Sequence, residues 1–457
     1  MPAATRFPPG PTGQLLQGNQ NQFRENPLDF LTRTAREFGD LATIRFGPFR
    51  AVVVSNPEYV ESILVANSKS FIKGPALRRN PILLGKGLLT SEGDFWRRQR
   101  RLIQPAFHRQ RLAAYGEVMT SFAQRALAEW REGETRDVHA EMMRLTLAIV
   151  AKTLFDADVE GESRRVGRAL EVALSAFSAQ STNPFVVPLW VPTRQNLRLR
   201  RAAWQLDSII FRIVDARRLS GEDHGDLLSM LLSARDEDGG RMSAKQLRDE
   251  VMTLFLAGHE TTAIALSWTF YLLAQNPQVE GRLAAELANV LGGRPPTTAD
   301  LPSLPYTEAV ISESLRVYPP AWTIARQATE PFDLGAYRFP AGTVAVMSQW
   351  VMHRDPRFFD APEEFRPERW LGGLAKRLPR YAYFPFGGGP RLCVGNGFAL
   401  MEAALILASV AQRYRLELVP GQKIVPQPSI TLRPRDGIRM ILHRRESPVD
   451  SGSDSKC

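Results

Sequence analysis

Cysteine is almost missing from this chain: its 457 residues hold only Cys393 and Cys457. Two cysteines so placed exclude a disulfide framework and suit a reducing cytoplasm. The second is the last residue, which fails the four-residue prenylation pattern. It closes a Ser/Asp-rich stretch, 447–457, that reads as a disordered tail. Gly/Ser linkers, long charge runs and internal repeats are also lacking, so 26–446 reads as one large domain behind an irregular lead, 1–25. That lead has too many polar, proline and glycine residues for a secretory segment or membrane anchor. What the chain does have is apolar substance: 44% of it is hydrophobic, enough for a large core.

A net charge of +10 raises a nucleic-acid reading. The arginines are scattered, however, no basic run alternates with aromatics, and no zinc, helix-turn-helix or aromatic RNA-binding signature occurs, which argues against it. A more local use of positive charge is Lys376, Arg377 and Arg380, just ahead of a glycine-rich segment.

That segment reads Phe386-Gly-Gly-Gly389-Pro-Arg391-Leu-Cys393-Val-Gly395 and runs into an apolar helical stretch, Asn396 to Val410, whose only charge is Glu402. A free cysteine titrates near ~8.5, and a helix start, a neighbouring cation or a metal is what keeps a thiolate ionised. Gly387, Gly388 and Gly389 permit a tight positive-φ bend and close backbone approach to a flat ligand. The loop alone is equally compatible with a plain buried cysteine before a helix.

Other segments carry paired polar groups. Ser243 and Gln246 form a capping box at the start of a helix that ends near Gln275, before Asn276-Pro277. At about 1.5 Å per residue it is roughly 48 Å long and has to cross the core. Its centre, Ala257-Gly-His-Glu260-Thr261-Thr262, places an acid and hydroxyls in an apolar run, where they would be costly in a membrane. Mid-helix glycine and threonine back-bonding predict a local distortion there. Glu313-Ser-Leu-Arg316 sits on a helix stopped by Pro319-Pro320; Phe365-Arg-Pro-Glu-Arg369-Trp370 lies downstream, and Trp96 and Arg100 lie one turn apart.

These segments, in this order, resemble the cytochrome P-450 family of haem-thiolate monooxygenases. The loop fits the family's Phe-x-x-Gly-x-Arg-x-Cys-x-Gly signature at every specified position. The resemblance implies Cys393 as axial ligand of iron in haem b (iron protoporphyrin IX), with Phe386 opening the signature. Trp96, Arg100, Arg326 and Arg391 fall where the family holds haem propionates. Glu313, Arg316 and Arg369 match a structural network beneath the haem, with Trp370 where phenylalanine is more usual. Thr261 matches the threonine that contacts dioxygen, and Glu260 the acid that relays protons to it.

The implied fold is mainly α with small β-sheets, one large domain in which haem lies between the long helix and the cysteine-loop helix. Hairpins are expected at Ala42–Phe46 with Ala51–Val54, and at Phe332–Tyr337 with Thr343–Met347. A first full helix starts at Asn26-Pro27 and ends at Gly39. Residues at the family's substrate-contact positions are apolar: Ile82, Leu83 and Leu84; Phe255 and Ala257; Ala321, Trp322 and Ile324; and Ile430.

The implied reaction inserts one atom of dioxygen into a long lipophilic substrate, a carotenoid or other terpenoid or a fatty acid. Electrons would come from a separate ferredoxin or flavodoxin, steered by charge complementarity to the basic residues near the loop. A monomer in the cytoplasm is expected, with peripheral membrane contact through the proline-broken segment Pro184–Pro192. A haem-thiolate peroxygenase or isomerase needing no external electrons is the enzymatic alternative; a haem carrier or gas sensor is the non-enzymatic one.

Overall fold

The structure is a computed structural model and describes residues 7–78, 81–181, 187–188, 190–235 and 241–445. The tail, 447–457, and residues 184–186 and 189 of the Pro184–Pro192 segment lie outside the described residues, as does the Ile82 side chain.

One helix organises the rest. Ala244–Gln275 runs 32 residues without a break. Its start is fixed by the expected capping box: Gln246 N–H donates to Ser243 Oγ (3.2 Å) and Ser243 N–H to Gln246 Oε1 (3.0 Å). It packs against the helices Val138–Phe155, Pro305–Val317 and Asn396–Ala411, which explains its lack of a clear polar face. The expected distortion at its centre does not interrupt it. Gly258 serves packing instead, because a Cβ there would lie 3.0 Å from the side chain of Val150 on Val138–Phe155.

The first helix, Pro27–Phe38, begins and ends as its residues dictate. The Asn26 side chain accepts from Asp29 N–H, Pro27 occupies the first turn, and Gly39 ends it at φ +81°. The lead is not wholly irregular, since Gln20–Glu25 is a short helix.

Four small sheets accompany the helices among the described residues. In the largest, Leu41–Phe46 and Phe49–Val54 form the first expected hairpin, turning at Gly47. Val344–Met347 pairs in parallel with Phe49–Val54, and the order continues through Ile324–Ala328 to Phe71–Lys73. This corrects the second hairpin. Phe332–Leu334 pairs with Tyr337–Phe339 about Gly335 at φ +56°, and Val344–Met347 is taken into the larger sheet, where Ala345 and Met347 are fully buried. The side chain of Ile324 and that of Arg326, from the strand between Val344–Met347 and Phe71–Lys73, line the cavity described next.

Candidate active site

A cavity of about 1130 Å³ separates the middle of Ala244–Gln275 from the cysteine loop. Its walls include Cys393, Phe386 and Arg391 on the loop, and Ala257, Glu260 and Thr261 on the long helix.

The loop is shaped by its glycines. Gly387 and Gly389 have φ of +74° and +65°, and a Cβ on Gly389 would stand 1.8 Å from the Leu64 carbonyl oxygen. Gly388 departs from the expected positive φ; it is glycine because a Cβ would strike the Tyr381 ring. Cys393 N–H donates to the Phe386 carbonyl (3.0 Å), which closes the loop around the sulfur. The surface Cys393 shows is cavity surface. Burial pushes its thiol pKa up, opposed by the Gly395 backbone N–H and by the charge of Arg100. Such a thiol is a poor anion by itself and becomes one on binding a metal.

Beneath the loop the three predicted network residues meet. Arg316 and Glu313 form a two-pronged pair at 2.8 and 2.9 Å with both side chains fully buried, and Arg369 Nε reaches Glu313 Oε1 at 2.9 Å. Trp370, the departure from the usual pattern, donates its indole N–H to Glu313 Oε2 (2.8 Å), a bond phenylalanine cannot make. The remaining guanidinium protons of Arg316 go to the carbonyls of His353, Pro362 and Glu364. His353 Nε2 in turn accepts Phe384 N–H at 3.0 Å, and the Phe384 carbonyl accepts Gly387 N–H at 2.9 Å. The buried charges are thus tied through three hydrogen-bond steps to the glycine bend that presents Cys393.

At one end the cavity is cationic. Trp96, Arg100, Arg326 and Arg391 all line it, with the Arg391 guanidinium 4.2 Å from the centre of the Trp96 ring. Arg100 donates to the Leu392 carbonyl (2.8 Å), and Arg391 donates to the Ser91 carbonyl (3.0 Å) and pairs with Glu92. A fifth member was missed in the sequence. Lys73 is buried, and its ammonium reaches the Leu88 carbonyl at 2.8 Å. Burial, then the Arg391 charge, pulls its pKa down to about 6. Arg326 is pulled down to about 10 by burial and by Arg391. Buried cations so depressed, with Glu92 as their near carboxylate, mark a place built for a further anion. No sequence pattern advertises Lys73; only its pairing opposite Arg326 across two strands brings it in.

On the opposite wall Thr261 Oγ1 donates back to the Ala257 carbonyl (2.8 Å), as threonine in a helix tends to. Glu260 is buried, and its Oε1 accepts from the Thr431 hydroxyl at 2.7 Å. Burial raises the Glu260 pKa, while Thr431 and the Arg433 charge oppose the rise. Thr431 was not singled out in the sequence, although it adjoins the predicted Ile430. Glu402, the one charge of the cysteine helix, is fully buried, and burial raises its pKa far above the ordinary range, with Thr262 opposing.

Leu83, Leu84, Ala257, Ala321, Trp322, Ile324 and Ile430 line the cavity as expected, with the Trp322 indole N–H satisfied by the Ser429 carbonyl (2.9 Å). Phe255 does not. It is fully buried on the far side of the helix, 6.3 Å ring to ring from Phe155, because two residues back from Ala257 is about 200° around the helix. The basic residues ahead of the loop remain at the surface, with Arg380 beside Glu61 at 3.4 Å.

The residues present suit a haem. A thiol faces an apolar slot, buried cations gather at its edge, and an acid and a hydroxyl stand across from the thiol.

The family model described as Cytochrome P450 matches residues 8–441. The chain is 40% identical over 438 residues to cyclooctatin synthase of Streptomyces melanosporofaciens, covering 95% of each. It is 39% identical to cyclooctat-9-en-7-ol 5-monooxygenase of the same organism, over 92% of this chain and 93% of that one. Pentalenene oxygenase of Streptomyces avermitilis is 36% identical over 94% of this chain and 95% of its own length. Among solved structures, a retinoic acid-bound cyanobacterial CYP120A1 superposes with a TM-score of 0.86 at 26% identity, over 97% of this chain and all of that one.

Proposed function

The chain belongs to the cytochrome P450 family, and from that premise we propose that it hydroxylates a bulky terpenoid hydrocarbon skeleton with haem b as cofactor. It is an oxidoreductase that incorporates oxygen. The observation that carries the substrate reading is the cavity itself: the wall across from Cys393 is built from Leu83, Leu84, Ala257, Trp322, Ile324 and Ile430, with Glu260 and Thr261 as its polar break. Relatives named for pentalenene and cyclooctat-9-en-7-ol favour a terpenoid over a straight-chain fatty acid.

Each residue then has a task. Cys393 is the thiolate ligand, fixed by its N–H bond to Phe386. Lys73, Arg100, Arg326 and Arg391 take the haem carboxylates, with Trp96 stacked beneath Arg391. The haem supplies dioxygen activation and oxygen insertion. The aliphatic wall orients the substrate and excludes water. Glu260, held by Thr431 on the same wall as Thr261, is the proton store, and burial favours its protonated form.

Electrons come from a separate ferredoxin or flavodoxin, attracted to the face bearing Lys376, Arg377 and Arg380. The work is that of a cytoplasmic monomer. Among the described residues no helix is long and apolar enough to cross a membrane.

The test is turnover of cyclic terpene hydrocarbons and alcohols by the holoenzyme with a reduced ferredoxin system and labelled dioxygen, after a spectral-shift screen for binders. One labelled oxygen per product, dependent on the electron donor, is expected. Equal product from hydrogen peroxide without the donor would favour a peroxygenase, and shifts from fatty acids alone would overturn the terpenoid reading.

A further inference from the structure

The outer face of the helix Arg194–Ser220 carries large apolar side chains where a helix of a globular protein normally carries polar ones. Leu197, Trp204 and Phe211 are each exposed, Trp204 to 66%, and stand seven residues apart. That spacing keeps them within about 20° of one line per heptad. The opposite face is conventional, with Leu199, Leu206, Ile210 and Ile213 buried. Trp190, just before the helix, is 80% exposed, as is most of Leu219 near its end. The stripe thus runs from Leu197 through Trp204 to Phe211, with Trp190 ahead of it and Asp215 next along the same line.

Arginines border it. At 100° per residue, Arg194, Arg198, Arg201 and Arg212 lie along one flank and Arg200 and Arg218 along the other. Arg212 is partly committed to Glu162 at 2.6 Å; Asp215 is the one exposed acid on the helix. Long aliphatic stems with cationic heads beside tryptophan and phenylalanine are the composition of an interfacial helix, which seats aromatics at the acyl boundary and arginines on headgroup phosphates.

We propose that this face docks the enzyme on an anionic lipid surface. A second copy of the chain fits less well, because pairing the stripes would set arginine flank against arginine flank across a symmetric interface. The helix packs on Ser163–Ser181 and Pro81–Leu84, whose Leu170, Leu83 and Leu84 line the cavity, so a docked face places the cavity roof at the source of any lipid-dissolved substrate. The inference concerns attachment and holds whatever molecule is oxidised.

The experiment is flotation of the substrate-free holoprotein with phosphatidylcholine vesicles, with and without phosphatidylglycerol, at low and physiological salt. Binding that needs phosphatidylglycerol and weakens with salt is expected. It should fall roughly tenfold or more in L197S/W204S and in R198E/R201E, while the reduced carbon-monoxide band keeps its height. No flotation at low salt, or binding unchanged in both variants, would overturn the proposal. A dimer in light scattering that L197S/W204S turns into monomer would assign the face to a second copy instead.

Discussion

The Thr431 hydroxyl donates to Glu260 Oε1 at 2.7 Å, so the acid of the long helix is held by a residue 171 positions away in sequence. Burial raises the Glu260 pKa and this bond opposes the rise. A hydrogen bond donated to the carboxylate favours its ionised form, so Thr431→Val should move the pH dependence of product formed per NAD(P)H consumed upward. Thr431→Ser should restore it. An unmoved profile in Thr431→Val would separate Glu260 from proton delivery.

Cys393 fixes the cofactor reading. Cys393→Ala should lose the reduced carbon-monoxide band of thiolate-ligated haem, because no other described cysteine exists to replace it. Persistence of the band would remove the ligand assignment altogether.

Lys73 ties haem binding to pH. In the folded protein its pKa falls from 10.5 to about 6, so between those values the empty site holds a neutral amine. A carboxylate arriving beside it favours the charged form, and the lysine takes up a proton. Haem affinity of the apoprotein should thus weaken as pH rises above about 6, with a slope approaching one proton and flattening below that value. Calorimetry in two buffers of different ionisation enthalpy measures the uptake, and Lys73→Met should abolish it. Equal heats in the two buffers would place the carboxylate elsewhere.

The contrast between Lys73 and Gly389 shows what the chain states locally and what it does not. Gly389 and the Ser243–Gln246 cap were legible because turn chemistry and capping act over a few neighbouring residues, whereas the roles of Cys393 and Arg391 came through resemblance, the loop alone being equally compatible with a plain buried cysteine. The meeting of Glu313, Arg316 and Arg369 was legible only through resemblance, since a Glu-x-x-Arg pair alone is common on exposed helices. Lys73 and Thr431 were hidden because strand pairing and a hairpin turn bring them in from far along the chain. Phe255 was misplaced for a different reason: in a helix buried on all sides, apolar character no longer tells which face meets the cavity. Val344–Met347 shows the same limit for strands, where a buried run pairs wherever the sheet has room.

The buried pair bears on loading. Arg316 places five side-chain bonds among Glu313 and three carbonyls, all out of solvent. Removing one partner of such a pair costs ~3–5 kcal/mol, since it leaves the other charge unpaired. Arg316→Ala should lower the yield of haem-loaded protein severely, read as the ratio of haem absorbance to protein. Its route to Cys393 runs through His353 and Phe384, so His353→Ala should show a milder defect of the same kind. Full haem loading in Arg316→Ala would mean the network does not support the loop.

Thr261 separates oxygen handling from haem binding. Its hydroxyl lines the cavity and, in the structure, spends its proton on the Ala257 carbonyl one turn back. The hydroxyl oxygen keeps its capacity to accept, and rotation about the Cβ–Oγ1 bond would free its proton for another acceptor. Thr261→Ala removes this group without touching Cys393, the cationic edge or the apolar wall. Haem content, substrate-induced spectral shift and reduction should therefore stay as they are, while product per NAD(P)H falls on the order of 10-fold and hydrogen peroxide rises to match. The fall sits at the low end for a proton-transfer group because a water of similar size can occupy the vacated volume. Thr261→Ser, which keeps the hydroxyl, should recover most of the coupling. Full coupling in Thr261→Ala would show that protons reach the site by another route and that this threonine serves only its own helix.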